Sequence, residues 1–295
     1  MTVQTFLHQV ASGLADGSIY AAIALALVMI FKATHQVNFA QGEMAMFSTF
    51  VAYTLCGAGV PYWIAFLITL AFSFVFGVVV QRTIVQWLTK LPHATELTAV
   101  VVFIGLLVVF NGSAGLIWGY TNKEFPSPFD QRAWYGSTYL TPHEIGMIGV
   151  TLIVLGIVFA FFRFTRLGLA MRAAAENPQS SRLVGIRVGW MLALGWGLAA
   201  LLGSIAGMMA APKLFLDPNL MAGVILYGFA AALLGGIDNP WGAPIGGFIV
   251  GVLVNLGGAY VVGSHLQQTL ALGVIVAVLV FKPSGLFGRT VVVRV

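Results

Sequence analysis

The chain is 295 residues long, 59% hydrophobic and 8% charged, with a formal charge of +5 and a mean hydropathy of +0.96. A water-soluble domain carries about 25% charged residues, so this composition excludes a soluble globular protein and makes lipid its main solvent. The positive balance does not point to nucleic acid, because the charges sit in short gaps between apolar runs.

A membrane helix needs about 20 mostly apolar residues. Such runs occupy 9–31, 39–56, 62–81, 97–118, 144–162, 189–211, 243–262 and 265–281, with a shorter one at 222–236. They are too long and too unalternating for barrel strands. The predicted fold is all-α: a polytopic transmembrane helical bundle of 8–9 spans in one domain, 1–295, with one span broken or re-entrant.

No basic residue precedes Lys32, so the first run lacks the charged start of a cleavable signal and reads as a span. Its Gly13, Gly17 and Ala21 stand four apart, on one helix face. The second run opens with Asn38, Gln41 and Glu43. Asn38 is placed to cap a helix, and Glu43 falls in the first turn, where a negative charge suits the helix dipole. The stretch reads as a membrane re-entry point, in which the three residues either only start the helix or form a polar patch in a pathway or at a partner contact. Cys56 is the single cysteine and reads as a small buried hydrophobe. His8, His35, His93, His143 and His265 stand at no metal-ligand spacing, so no metal site is expected.

Between the fifth and sixth runs, Arg163, Arg166, Arg172, Arg182 and Arg187 face a single acid, Glu176. Basic loops stay in the cytoplasm, which puts 163–188 inside. Counting outward from there, Arg82, Lys90 and Lys32 fall inside, 119–143 falls outside and the N-terminus lies outside. The tail, with Lys282, Arg289 and Arg294, is cytoplasmic. All fourteen basic residues but Lys123, Arg132 and Lys213 then face the cytoplasm. Bringing the tail inside requires 222–236 to cross. Within 163–188, Asn177 before Pro178 is a helix start and Gly185 a stop, giving a short arginine-rimmed helix.

Later in the chain, Gly195, Ala199, Gly203, Gly207 and Ala211 repeat every four residues, as do Ala243, Gly247, Gly251 and Asn255. In lipid, close backbone contact drives helix association, so these ridges are read as helix–helix seams. The stretch from Gly235 to Gly247, with Gly236, Asp238, Pro240 and Pro244, interrupts any continuous helix. It is either a plain turn or a cavity wall.

The run Arg166-Leu-Gly-Leu-Ala-Met-Arg172-Ala-Ala-Ala-Glu176-Asn177-Pro178, followed by Leu183-Val-Gly185-Ile186, resembles the inner-membrane permeases of branched-chain amino-acid ABC importers, of the LivH type. So do Gly13-Leu-x-x-Gly17-x-x-Tyr20-Ala21, Val37-Asn38-Phe39-Ala40-Gln41-Gly42-Glu43 and Leu234-Gly235-Gly236-Ile-x-x-Pro240-x-Gly242-Ala243-Pro244. Gln41 stands where that family often has His. The resemblance implies two permease chains forming the pathway, two ATPase subunits docked below, and a periplasmic binding protein delivering the ligand. It assigns Arg166, Arg172, Glu176, Asn177, Pro178, Arg182 and Gly185 to ATPase coupling. It makes Asn38, Gln41, Glu43, Gly235, Gly236 and Pro240 candidates for the pathway or a partner contact. No cofactor is expected in this chain, which contains no Gly-x-x-x-x-Gly-Lys-Ser/Thr to hold ATP.

Two rival readings differ in class. An ion-coupled secondary transporter needs acids deep within spans, and only Asp16 and Glu43 come near. An intramembrane enzyme needs a His-Glu-x-x-His, a Gly-x-Ser-Gly elbow or a paired Asp, none of which the sequence contains.

Overall fold

The computed structural model describes residues 3–34, 36–88, 95–129 and 139–288. Lys90, Arg132, Arg289 and Arg294, used above for direction, lie outside them, as do His35 and His93.

The described residues are helical throughout, joined by turns and one isolated antiparallel bridge between Lys123 and Leu216. The helices are α1 (Val3–Thr34), α2 (Gln41–Gly57), α3 (Tyr62–Val80, continued through a π-helical turn, Gln81–Val85, to Leu88), α4 (Glu96–Trp118), α5 (Pro142–Phe164) and α6 (Arg166–Glu176). They continue with α7 (Pro178–Leu183), α8 (Val188–Leu214), α9 (Leu220–Gly235), α10 (Gly242–Gly257, continued by a π-helical turn, Gly258–Val262) and α11 (Gln267–Phe281). Among the described residues, six stretches are long and apolar enough to cross a membrane: Val3–Thr34, Tyr62–Leu88, Leu97–Trp118, Pro142–Phe164, Val188–Leu214 and Gly242–Val262. Leu220–Gly235 and Gln267–Phe281 are apolar but shorter. Large apolar side chains such as Leu116, Ile153 and Val276 are exposed on these helices. In water that surface would aggregate; in lipid it is solvated. The protein is a polytopic helical membrane protein.

The first helix begins at Val3 rather than 9 and the third runs on to Leu88 rather than 81, and three differences fall in the last third of the chain. The 222–236 run is one unbroken helix, α9, and the break is confined to 236–241, where Gly236 adopts φ +104°. Pro244 falls in the first turn of α10, where its missing N–H interrupts no ladder bond. The last apolar helix begins at Gln267, not at 265, after a 3-10 turn over Ser264–Leu266.

The chain divides into two compact units. The first comprises 1–28, 129–151 and 223–295. Here α10 packs antiparallel on α1 with almost no side chain between them. Gly251 lies against the backbone of Gly13 and Gly17, and Gly247 against that of Ala21. A Cβ on Gly17 would stand 2.9 Å from the Cα of Phe248. α9 then packs antiparallel on α10, with Gly246 against Ala231 and Gly235 against Gly242. Ala24, Val28, Tyr227, Ala230, Ala231, Ala243 and Val250 fill the space among the three helices. The segment after α11 returns to the end of α9. Leu286 N–H donates to Leu234 O (2.7 Å), Phe287 N–H to Gly235 O (3.3 Å), and Asn239 Nδ2 to Phe287 O (2.9 Å). The first two satisfy carbonyls that the end of α9 leaves unpaired.

The second unit comprises 29–128 and 152–222. Its centre is α8, whose Trp196, Ala199, Leu202, Ile205, Met208 and Ala211 are fully or almost fully buried. α2 runs parallel to α8, with Gln41 near Gly203 and Thr49 near Gly207. α3 runs antiparallel, with Ser73 bonded to Ala200 O (2.7 Å) and Gly77 against Trp196 and Gly197. α4 joins through aromatic contacts: Phe103 with Trp196 (5.8 Å), and Trp118 stacked on Phe50 (4.9 Å).

Candidate translocation pathway and coupling surface

Between α1 and α2, residues 36–40 are not helical, yet Asn38 and Ala40 are buried. Asn38 does not cap α2, as the sequence suggested. Its Oδ1 accepts from Ala40 N–H (3.0 Å), closing an Asx turn one step earlier, and Ala40 becomes the cap without a side-chain bond. The Asn38 carbonyl accepts from Gln41 N–H (3.3 Å). Gln41 Nε2 donates to Ala199 O (2.9 Å), while its Oε1 is buried without a hydrogen-bond partner.

Ala199 lies well inside the 27-residue α8. At 1.5 Å per residue that is about 17 Å from the start of a helix about 40 Å long. α2 therefore begins at mid-helix depth, and the non-helical segment before it reaches the same level. Irregular backbone persists at such depth only where it is buried in protein or lines a watered cavity. Sequence reasoning placed a re-entry here without its depth.

Asn38, Gln41 and Glu43 are sequence neighbours with different partners. Gln41 turns to α8, and Asn38 to its own turn. Glu43, 6% exposed, meets Asn111 of α4, whose Nδ2 lies 3.5 Å from Glu43 Oε2. The same Nδ2 donates to Pro218 O (2.8 Å) and lies 3.3 Å from Asn219 Oδ1. One amide thus ties the first turn of α2 to α4 and to the 215–219 segment. Beside it, Leu216 and Lys123 exchange backbone hydrogen bonds of 2.9 Å, so 111–123 and 215–219 share one end of this unit.

A polar line continues through the seam. Ser48 Oγ donates to Ser73 Oγ (3.1 Å), Ser73 Oγ to Ala200 O, and Thr49 Oγ1 to Ala45 O (2.8 Å). Gly203 receives the Gln41 amide, and Gly207 receives Thr49. A Cβ on Gly195 would stand 3.7 Å from Met171 Cε and 3.8 Å from Ala33 Cβ, at ordinary contact distance. Asn111, Ser48 and Ser73 were not singled out in the sequence; the available signal was a polar residue inside an apolar run.

Gly235, Gly236 and Pro240 belong to the first unit. A Cβ on Gly236 would stand 2.7 Å from Gly288 N, so this turn is sealed by the segment that follows α11. Pro240 is half-buried in it.

The arginine-rich segment holds two helices where the sequence indicated one. α5 breaks at Thr165, whose Oγ1 accepts from Gly168 N–H (3.0 Å) and starts α6. Gly168 makes the crossing possible: a Cβ there would stand 2.5 Å from Phe161 O. α6 buries Met171 and Ala174 and packs on α8. Asn177 ends α6 and caps α7, its Oδ1 accepting from Ser180 N–H (2.9 Å), with Pro178 in the first position. Gly185 stops the chain at φ +83°. Arg166, Arg172, Glu176, Asn177, Pro178, Arg182 and Gly185 are all exposed. Arg166, Arg172, Glu176 and Arg182 make no ion pair among the described residues. Leu183 is 89% and Val184 75% exposed beside them. At this end Arg82, in the π-helical turn of α3, lies over the ring of Trp190, 4.3 Å from its centroid.

Comparison with known proteins gives this arrangement its kin. The high-affinity branched-chain amino acid transport system permease protein LivH of Salmonella typhimurium is 28% identical, over 98% of each chain. The permease protein BraD of Pseudomonas aeruginosa, of a transport system so described, is likewise 28% identical over 98% of each. The ribose import permease protein RbsC of Escherichia coli is 25% identical over 83% of this chain and 73% of its own. A family model described as the permease component of the branched-chain amino acid transport system matches residues 9–281, and the chain belongs to that family.

Proposed function

We propose that this chain is the membrane-spanning permease subunit of an ATP-driven importer in a bacterial inner membrane, passing branched-chain or related amino acids delivered by a periplasmic binding protein. The α6–α7 element carries the reading. It is a capped pair of helices whose arginines make no ion pair among the described residues, set around an exposed apolar tip, Leu183 and Val184. A loop that only set topology would need the charges alone. A groove on a separate ATPase, apolar at its floor and acidic at its rim, complements the element. A second permease chain completes the pathway, and ATP is held outside this chain.

Nine alternating crossings, with the N-terminus outside and the tail inside, fit the helix directions. α9 and α10 are antiparallel, and the segment after α11 returns to the end of α9, so the last three helices alternate. Arg82 meets Trp190 at one end of the second unit and Asn111 meets Pro218 at the other, as alternate crossings require. The pathway is assigned to the re-entry at 36–43 and the polar seam behind it. Relatives named for branched-chain amino acids and for ribose align over 98% and 83% of this chain. That breadth suits a channel whose selectivity is supplied by the binding protein.

The test is co-purification in mild detergent. Glu176→Arg, or deletion of 176–185, leaves the protein inserted but strips the ATPase from it. Full retention of the ATPase after the deletion refutes the docking assignment. Uptake sensitive to vanadate supports the importer; uptake abolished only by an uncoupler supports an ion-coupled carrier.

A further inference from the structure

We infer that Arg82 and Trp190 form a transmission clamp that carries movement of the α6–α7 element into α3. This positioning role rests on the importer reading above. Between α7 and Trp190 no slack is visible. Ile186 N–H donates to Ser181 O (3.0 Å), Val188 N–H to Ile186 O (2.9 Å), and Trp190 N–H to Arg187 O (2.9 Å). A displacement of α7 therefore reaches the Trp190 backbone directly.

The Arg82 guanidinium carbon stands 4.3 Å from the centroid of the Trp190 ring. No carboxylate pairs with Arg82 among the described residues. A cation over an aromatic face holds its partner while tolerating a sliding contact, which an ion pair of fixed geometry does less well. Next to it, a Cβ on Gly189 would stand 3.5 Å from Arg82 Nη1, in ordinary contact. The pair is close without being wedged.

Both partners have room to move. Trp190 also borders a groove of about 410 Å³, lined by Ala170, Ile186, Arg187, Met191 and Leu194. Arg82 sits in the π-helical turn Gln81–Val85, where the α-helical ladder widens and Gln86 N–H donates to Gln81 O. The buried Oε1 of Gln81 has no hydrogen-bond partner there. Five residues back along α3, Gly77 lies against Trp196 and Ala200, and four residues before that Ser73 bonds to Ala200 O and to Ser48 of α2. A pull on Arg82 consequently bears on the seam beside the re-entry.

The experiment uses the whole complex, with its ATPases, second permease chain and binding protein, in proteoliposomes. In Arg82→Gln the ATPases remain bound and basal ATP hydrolysis persists. Stimulation by liganded binding protein, and uptake with it, falls roughly three- to thirtyfold, the span of one cation–π contact. Arg82→Lys restores most of the loss. Trp190→Ala matches Arg82→Gln, and the double variant is no worse than either single one. Undiminished stimulation in Arg82→Gln, or losses that multiply in the double variant, overturns the clamp. Failure of the unaltered chain to hold any ATPase sinks the importer reading itself, and the clamp with it.

Discussion

On the seam between α1 and α10, glycine faces glycine: Gly13 and Gly17 meet Gly251, and Ala21 meets Gly247. On the seam between α2 and α8, the small residues lie on α8 and the facing side chains on α2 are polar, Gln41 at Gly203 and Thr49 at Gly207. The first seam is backbone on backbone and contains no atom that can give way. The second contains side-chain ends bonded to backbone, and those can exchange partners. Both come from the same four-residue spacing of small residues. What faces the ridge decides whether it makes a rigid joint or an adjustable one, and the adjustable one adjoins the re-entry at 36–41.

The largest predicted effect falls on the rigid seam. In Gly247→Ala the new methyl meets the backbone of Ala21, which cannot move aside without displacing α1. A loss of about 3 kcal/mol is expected, the upper part of the usual range for overpacking, with Gly247→Leu failing to fold. Detergent-solubilised yield and thermal unfolding read this out. A melting temperature equal to that of the unaltered chain would show that α1 and α10 are not in backbone contact.

The adjustable seam should behave differently. A methyl on Gly203 would stand 2.6 Å from Gln41 Nε2, the end of a side chain, and 3.3 Å from Ala45 Cβ. Gly203→Ala displaces the amide and costs its bond to Ala199 O, about 1 kcal/mol. Uptake is predicted to fall more than stability does. Gly203→Leu, too long for the displaced amide to accommodate, splays α2 from α8 and disrupts assembly. Equal stability losses in Gly203→Ala and Gly247→Ala would erase the distinction between the seams.

Next comes the amide that joins α2, α4 and the 215–219 segment at one end of the second unit. Asn111→Leu removes the donor to Pro218 O and Asn219, for about 1–2 kcal/mol. Asn111→Asp is predicted to be worse, because it sets a second carboxylate beside Glu43, and adding Glu43→Gln should recover part of the loss. No recovery in that pair would mean that Glu43 and residue 111 are not neighbours.

How much of this was legible depended on whether the cause was local. The α7 cap was visible because Asn-Pro is a complete instruction within two residues. The glycine ridges were visible from their period. Their partners were not, because nothing in 13–21 states that it will meet 247–251. The break after Gly235 was visible, but its width was not, since Pro244 fits a first turn as well as a loop. α6 was overlooked because it continues a basic run without a composition change; Thr165 three residues before Gly168 was the only cue. Asn111 was invisible in principle: a single amide in an apolar run gains meaning only from acceptors more than a hundred residues away. The depth of the re-entry likewise needed the Gln41 contact with Ala199.

The smallest effect on stability is predicted at Asn177, and it separates folding from function. Asn177→Ala removes one cap from a helix of six residues, a local cost of about 1 kcal/mol. α7 is exposed, with only Ser181 buried, so it can fray without unfolding the bundle. The melting temperature should therefore stay unchanged while the ATPase binds more weakly, because the partner must then reorder the helix. Asn177→Asp, which keeps an acceptor for Ser180 N–H, should bind nearly as the unaltered chain does. If Asn177→Ala lowers the melting temperature instead, α7 is part of the bundle's own support and cannot be the independently moving element that the coupling role requires.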